Sequence, residues 1–210
     1  MNTLTCLVSF GLLASTPRVV TFDTFALGKT PPGWTVAMTH PGRAPQWEIR
    51  RDDSAATQPY VLAQVSDSGE DRSPLAILDN MSLRDGDVSV RVKPVSGHEL
   101  QAGGLVWRYK DPNNYYLARA SALEKNVGVF KVLNGKLIQI HPGVKHDVPG
   151  NGTGWSILKV SVRGNGFQVY LDHRRILQGT DNTFIGAGSV GLWTVGDSVT
   201  YFDDFRVYPK

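Results

Sequence analysis

Along most of the chain after Tyr60, apolar residues recur at every second position, and that period points to half-buried strands rather than long helices. Val88, Val90 and Val92 alternate with Ser89, Arg91 and Lys93. Leu158, Val160 and Val162 alternate with Lys159, Ser161 and Arg163, and Phe167, Val169 and Leu171 with Gln168, Tyr170 and Asp172. Each set sends one row of side chains to a core and one to water. Turn signals separate the runs. Asn134-Gly135, between Phe130-Lys131-Val132-Leu133 and Lys136-Leu137-Ile138-Gln139-Ile140, supplies the two positive φ angles of a type I′ hairpin. Gly164-Asn165-Gly166 and Asp111-Pro112-Asn113-Asn114 read as slightly longer hairpin loops, and residues 150–154 as a loop between strands. Roughly a dozen short strands joined this way pack as two sheets, so the expected class is all-β, an antiparallel β-sandwich.

At 210 residues the chain fits one such domain. The stretch 28–59, with five prolines, reads as loop around short strands at Trp34-Thr35-Val36 and Trp47-Glu48-Ile49. Helical turns are expected only at 75–83 or 181–184. The first fifteen residues resemble the apolar region of a secretion leader ending in small residues, too few to span a bilayer, although no Lys or Arg precedes them. Residues 1–20 are therefore expected to be a leader or N-terminal extension, with 21–210 the sandwich domain, working outside the cytoplasm. A mis-called start and a first strand retained on the sheet are the alternatives. The single cysteine, Cys6, lies in that apolar stretch. A chain cut after it has no thiol for a disulfide, a metal site or a nucleophile. The formal net charge is +3, with Lys and Arg dispersed and no basic stripe in sequence order, so no nucleic-acid partner is expected. His173-Arg174-Arg175 reads as a polar hairpin tip rather than a phosphate site.

Three segments resemble a known family. They are 103–119 (Gly-Gly-Leu-Val-Trp-Arg-Tyr-Lys-Asp-Pro-Asn-Asn-Tyr-Tyr-Leu-Ala-Arg), 188–194 (Gly-Ser-Val-Gly-Leu-Trp-Thr) and 201–207 (Tyr-Phe-Asp-Asp-Phe-Arg-Val). They look like bacterial laminin-G-like jelly rolls, and more narrowly like 3-keto-disaccharide hydrolase domains of the concanavalin A-like lectin and glucanase superfamily. The likeness covers about residues 21–209. It implies two curved sheets with ligands on a concave face, and carbohydrate as the partner. It is poorly specific for activity, since the architecture hosts lectins, glycosidases, lyases and adhesion modules.

Glycosidases of the common kind need paired carboxylates. The Glu-x-Asp-x-x-Glu run of the superfamily's glucanases is absent, and Glu48, Glu70, Glu99 and Glu124 are isolated. The triplet Gln139-Ile140-His141 matches alginate-lyase-like sandwiches, without their companion motifs. If the turn spans residues 110–114, Arg108 lies across from Tyr116 on one face, Lys131 extends the row, and Arg119 falls opposite Leu105. Arg beside Tyr suits a sugar's hydroxyls and C–H face, and equally suits a cross-strand pair covering a sheet. Trp107 and Trp193 are assigned to the core. Cleavage of a 3-keto-glycoside, which the resemblance implies, could use His141 or His146 as base with Arg108 or Lys131 facing the enolate. A non-catalytic carbohydrate-binding module and a structural or adhesion module are the alternatives. Asp203 shares parity with Val199, Tyr201, Phe205 and Val207, and a carboxylate on that face needs a partner. Ca2+, held by Asp203 or Asp204 and Asp23, is one candidate, supported by the resemblance; a hydrogen-bonded, loop-capping Asp203 is the other.

Overall fold

A computed structural model describes residues 16–69 and 71–210 of the chain. Most of the leader-like stretch, residues 1–15, lies outside the described residues. Fifteen strands form the architecture, with no α-helix among the described residues. In chain order they are β1 (Arg18–Val20), β2 (Trp34–Thr39), β3 (Trp47–Arg51), β4 (Tyr60–Gln64), β5 (Ser73–Leu83), β6 (Gly86–Ser96), β7 (Ala102–Asp111) and β8 (Asn114–Ser121). There follow β9 (Asn126–Leu133), β10 (Lys136–Lys145), β11 (Ser156–Arg163), β12 (Gly166–Leu171), β13 (Arg174–Thr180), β14 (Gly188–Trp193) and β15 (Val199–Pro209). An eight-stranded sheet runs β13-β12-β11-β6-β15-β4-β3 with β1 added on β15, and a seven-stranded sheet runs β10-β9-β8-β7-β14-β5-β2. Because β1 pairs with β15, Arg18 against Val207 and Val20 against Phe205, the folded unit begins ahead of Thr21.

The period-two runs meet between the sheets as the alternation requires. Val88, Val90 and Val92, Leu158 and Val160, and Val169 and Leu171 pack in one cluster with Leu105, Trp107, Tyr116, Ala118 and Val129. Each such side chain taken from water contributes about 1.5–3 kcal/mol. Asn134 and Gly135 both adopt positive φ and close β9 onto β10, as their chemistry demands. Residues 75–83 form part of a strand, not a helical turn. Leu75 and Ile77 face outward under a second apolar cluster while Ala76 and Leu78 face the inner core, so the run is apolar on both faces and shows no period. Residues 181–184 are loop.

The register of β7 on β8 differs by one residue from the expected one. Trp107, not Arg108, lies across from Tyr116, and Gly104, not Leu105, across from Arg119. The two rings stack at 5.3 Å and 24°, an aromatic pair inside the core that an Arg108–Tyr116 register would forfeit. The ladder then resumes only at Asp111 against Asn114, and the extra length is taken up in a bulge where Arg108 has φ 50°. The consequence is a buried cation. Arg108 is 2% exposed and donates to the carbonyl oxygens of Phe184 at 2.6 Å, Arg84 at 3.2 Å and Gly164, with the Asp85 carboxylate 3.9 Å away. Those acceptors come from three loops, between β5 and β6, β11 and β12, and β13 and β14. Arg108 is thus a clasp joining both sheets, and the place expected for it, across from Tyr116 and facing a sugar, is corrected.

Removing the clasp leaves three carbonyl oxygens without their donors. Arg108→Ala is expected to lower unfolding free energy by about 3 kcal/mol or more, read by urea denaturation. Wild-type stability would show that the loops hold without it.

Candidate functional site

A row of pairing partners crosses the outer face of the seven-stranded sheet: Gly128, Arg119, Gly104, Trp193, Leu75 and Ala37. The two glycines create the relief. A Cβ on Gly104 would lie 2.6 Å from Leu117 and 3.3 Å from the Trp193 ring, and one on Gly128 would lie 2.9 Å from the Phe130 ring. Without them these large side chains can settle against the backbone. Phe130 in turn carries the Arg119 guanidinium 4.8 Å above its ring. Arg119 is 9% exposed, pairs with the Glu124 carboxylate, and keeps a buried Nε with no partner. Burial pushes its pKa down, and Glu124 opposes that shift.

Two members of this row, Arg119 and Trp193, line a cleft of about 680 Å³. Trp193, Val132 and Leu137 supply apolar lining, Arg119 a cation, and His40, Asp71, Glu99 and Asp197 polar groups contributed by loops. Hydrogen bonds hold those loops in place. Asp197 accepts from the backbone N–H groups of His98, Glu99 and Leu100, fastening the β6–β7 loop to the β14–β15 loop. Burial works to raise the Asp197 pKa, and those N–H donors outweigh it, keeping the carboxyl below its ordinary value. Arg72 donates to the carbonyls of Pro41 at 3.0 Å and Ser68 at 2.9 Å, and His40 Nδ1 to the carbonyl of Asp71 at 2.7 Å. The result is a held concavity with apolar walls and converging donors and acceptors, suited to a compact polyhydroxylated ligand.

Of the residues expected at a sugar site, only Arg119 lines this cleft. Tyr116 is buried on the inner side, where its hydroxyl donates to Asp181 Oδ1 at 2.7 Å and accepts from the Phe184 N–H. Burial and the Asp181 carboxylate push its pKa to about 12. Lys131 does pair with Tyr116, yet its Nζ is held by Asp181 at 2.7 Å and Thr183 at 2.8 Å. Burial favours protonation of Asp181, and the Lys131, Thr183 and Tyr116 hydrogen bonds override it, so this carboxyl sits far below its ordinary value. His141 lies across from Val129 in β10, and His146 Nδ1 donates to the Asp147 carbonyl at 3.1 Å. Neither histidine lines the cleft. Trp193 is buried as expected, but on the outer side, beneath the cleft, while Trp107 lies between the sheets. The rim residues sit in loops, where no periodic signal exists. The glycines within β7 and β9 were the sequence signal for a close approach on this face.

At Asp203 the expected strand parity breaks. Between the Asp203–Arg91 and Arg206–Ser89 pairs two residues, Asp204 and Phe205, face one, Val90, and Asp204 takes φ 55°, so Phe202 and then Phe205 and Val207 face the core. Asp203 is fully buried instead beneath the loop before β4. It accepts from the Thr57 N–H at 3.0 Å, the Thr57 hydroxyl at 2.7 Å and the Asp204 N–H at 2.7 Å. Burial raises its pKa, and these donors offset part of the rise. Asp204 is taken by Arg206 and Arg91, and Asp23 accepts from the Tyr60 N–H. Hydrogen-bond donors thus fill the positions a cation would need, and no group of three His, Cys, Asp or Glu side chains among the described residues could hold a metal. This set does not fit Ca2+.

No family model and no curated protein sequence matches the chain. Solved structures do. The carbohydrate binding module CBM66 from Bacillus subtilis is 26% identical, covers 82% of this chain and 93% of its own, and superposes with a TM-score of 0.65. A Bacillus licheniformis beta-glucanase is 11% identical over 93% of this chain and 99% of its own, with a TM-score of 0.60. The exoplasmic/lumenal domain of VIP36, in its Ca2+/Man-bound form, is 10% identical over 92% and 89%, with a TM-score of 0.61.

Two outcomes follow from the hydrogen-bond geometry. Asp203→Asn turns an amide NH2 toward N–H and O–H donors and is expected to lower stability by about 1–3 kcal/mol, whereas EDTA leaves the wild-type melting temperature unmoved. A chelator-induced drop would restore the cation. For Asp181 the folded pKa lies below the unfolded one, so its contribution is present above about pH 4 and fades as pH falls toward the folded value. Acid titration of melting temperature should therefore show a shallower loss below pH 4 in Asp181→Asn than in wild type; parallel curves would contradict the assignment.

Proposed function

Starting from the concanavalin A-like jelly roll that these likenesses show, we propose that the chain is a non-catalytic carbohydrate-binding module whose ligand enters the cleft over Trp193 and Arg119. One observation carries the reading: a nine-tenths buried guanidinium, with its Nε unpartnered, beside a cavity underlain by Trp193 and rimmed by carboxylates. A sugar presents hydroxyls that accept from a guanidinium and donate to carboxylates, together with C–H surface that leaves water on apolar walls. The similarity to a protein described as a carbohydrate binding module, over nearly all of that protein's length, supports the same class. In this reading the module works outside the cytoplasm, on polysaccharide or glycoside, and Ca2+ has no part in ligand contact.

Cleavage of a 3-keto-glycoside is the second reading. It requires a base and an oxyanion stabiliser meeting on one ligand. His141 and His146 do not line the cleft, Arg108 is committed to three carbonyls, and Lys131 to Asp181 and Thr183. Binding without turnover is what the geometry favours.

A glycan array followed by calorimetry tests the proposal. Arg119→Gln is expected to weaken the best glycan by about 10–100-fold, the worth of one or two charge-assisted hydrogen bonds. Folding of the variant is checked by its melting temperature. Unchanged affinity in a folded Arg119→Gln protein would remove the cleft as the site, and turnover of a 3-keto disaccharide by wild type would return the catalytic reading.

A further inference from the structure

The outer face of the eight-stranded sheet lies on the opposite side of the sandwich from the cleft, and pairing assembles there a row that sequence order hides. Arg206 in β15, Ser89 in β6, Lys159 in β11, Tyr170 in β12 and Arg175 in β13 are successive partners. Arg206, Ser89, Lys159 and Tyr170 each stand between two core residues, Phe205 and Val207, Val88 and Val90, Leu158 and Val160, and Val169 and Leu171, so these four point outward. Four strand spacings make the row about 19 Å long. A groove of about 400 Å³ follows part of it, bordered also by Arg91, His173 and Tyr208.

The charge on this face is unbalanced. Arg91 and Arg206 share the single carboxylate of Asp204, and Lys159, Arg163 and Lys210 share that of Asp87. Five cations therefore meet two carboxylates. Arg91 Nε is buried without a hydrogen-bond partner, 3.7 Å from an Asp204 carboxylate that already holds Arg206 at 2.8 and 2.9 Å. The Arg91 side chain is still 33% exposed where it borders the groove, so its charge, only partly met by Asp204, is open to an oxyanion there.

We infer that this groove binds an acidic polysaccharide through its carboxylate or sulfate groups. The span of the row favours a polymer over a small anion. The surplus of about three charges is fewer than the 6–10 phosphate contacts typical of nucleic-acid binding. The Tyr170 ring is already covered by Lys159 at 4.8 Å, so no run of bare aromatic faces awaits stacked bases. This site stands apart from the cleft and does not depend on the cleft's ligand.

The test measures binding of the full chain to polygalacturonate, dextran sulfate and uncharged dextran at low and moderate salt. Both polyanions should bind and dextran should not. Lys159→Gln with Arg91→Gln should weaken both by about tenfold or more and flatten the salt dependence, because fewer counterions are released. Neutral-glycan binding in the cleft stays unchanged in that variant, whereas Arg119→Gln has the converse effect. Lys29→Gln with Arg51→Gln removes the same charge elsewhere and should leave polyanion affinity intact. Lys159→Gln alone, at a 38% exposed side chain, keeps the result readable if the double variant folds poorly. Equal loss in the Lys29/Arg51 control, retained affinity in the Lys159 variants, or a single-stranded oligonucleotide outcompeting polygalacturonate would each overturn the inference.

Discussion

A guanidinium taken out of water must find acceptors, and one part of this sandwich is arranged around that demand. Arg108 reaches carbonyls in three loops and joins them from β7 of the seven-stranded sheet. Beside it, Asp181 receives Tyr116, Lys131 and the Thr183 backbone N–H. The 181–187 segment, which carries no regular structure, is thereby tied to β7, β8 and β9. Both assemblies serve rigidity. The Arg108 Nη1 and Nη2 groups, the Tyr116 hydroxyl and the Lys131 ammonium are all aimed at oxygens of the protein itself, which is why these residues, which look suited to a ligand, are unavailable to one.

The seven-stranded sheet poses the opposite problem, because its outer face is apolar as well. Leu75, Val106, Tyr115, Leu117, Phe130 and Trp193 form a second cluster there. Loops fastened by Asp197 and Arg72 border it without closing it, and the opening that remains is the cleft. Site and core are therefore continuous. Trp193 beneath the cleft packs against Gly104, Phe130 packs against Gly128, and Arg119 is positioned by Phe130 and Glu124 before any ligand arrives, which reduces the ordering cost of binding.

The two outer faces differ in kind. One offers an apolar hollow with a single buried cation; the other is a pleated surface on which cations from distant strands line up. A module with both could hold a neutral sugar unit on one side and an anionic chain on the other, with no shared residues between the sites.

The alternation of Val88, Val90 and Val92 and its counterparts in β11 and β12 was enough to determine the class, the inner core and several hairpins, because the period of a strand is a local property of its backbone. Local rules could not foresee the bulges at Arg108 and Asp204. Each shifts the side chains beyond it by one position, and whether a bulge forms depends on the packing of Trp107 against Tyr116 or of Phe202 and Phe205 into the core. That shift sent Arg108 into the interior and took Asp203 off the core face. Arg119 was legible as a candidate, while its setting was not, since Trp193, His40, Asp71 and Asp197 come from segments far apart in the chain. The same holds for the basic row. Arg206, Lys159 and Arg175 are dispersed in sequence, and only strand order places them side by side, because pairing between β15, β6, β11, β12 and β13 is decided by how the whole sheet closes its core.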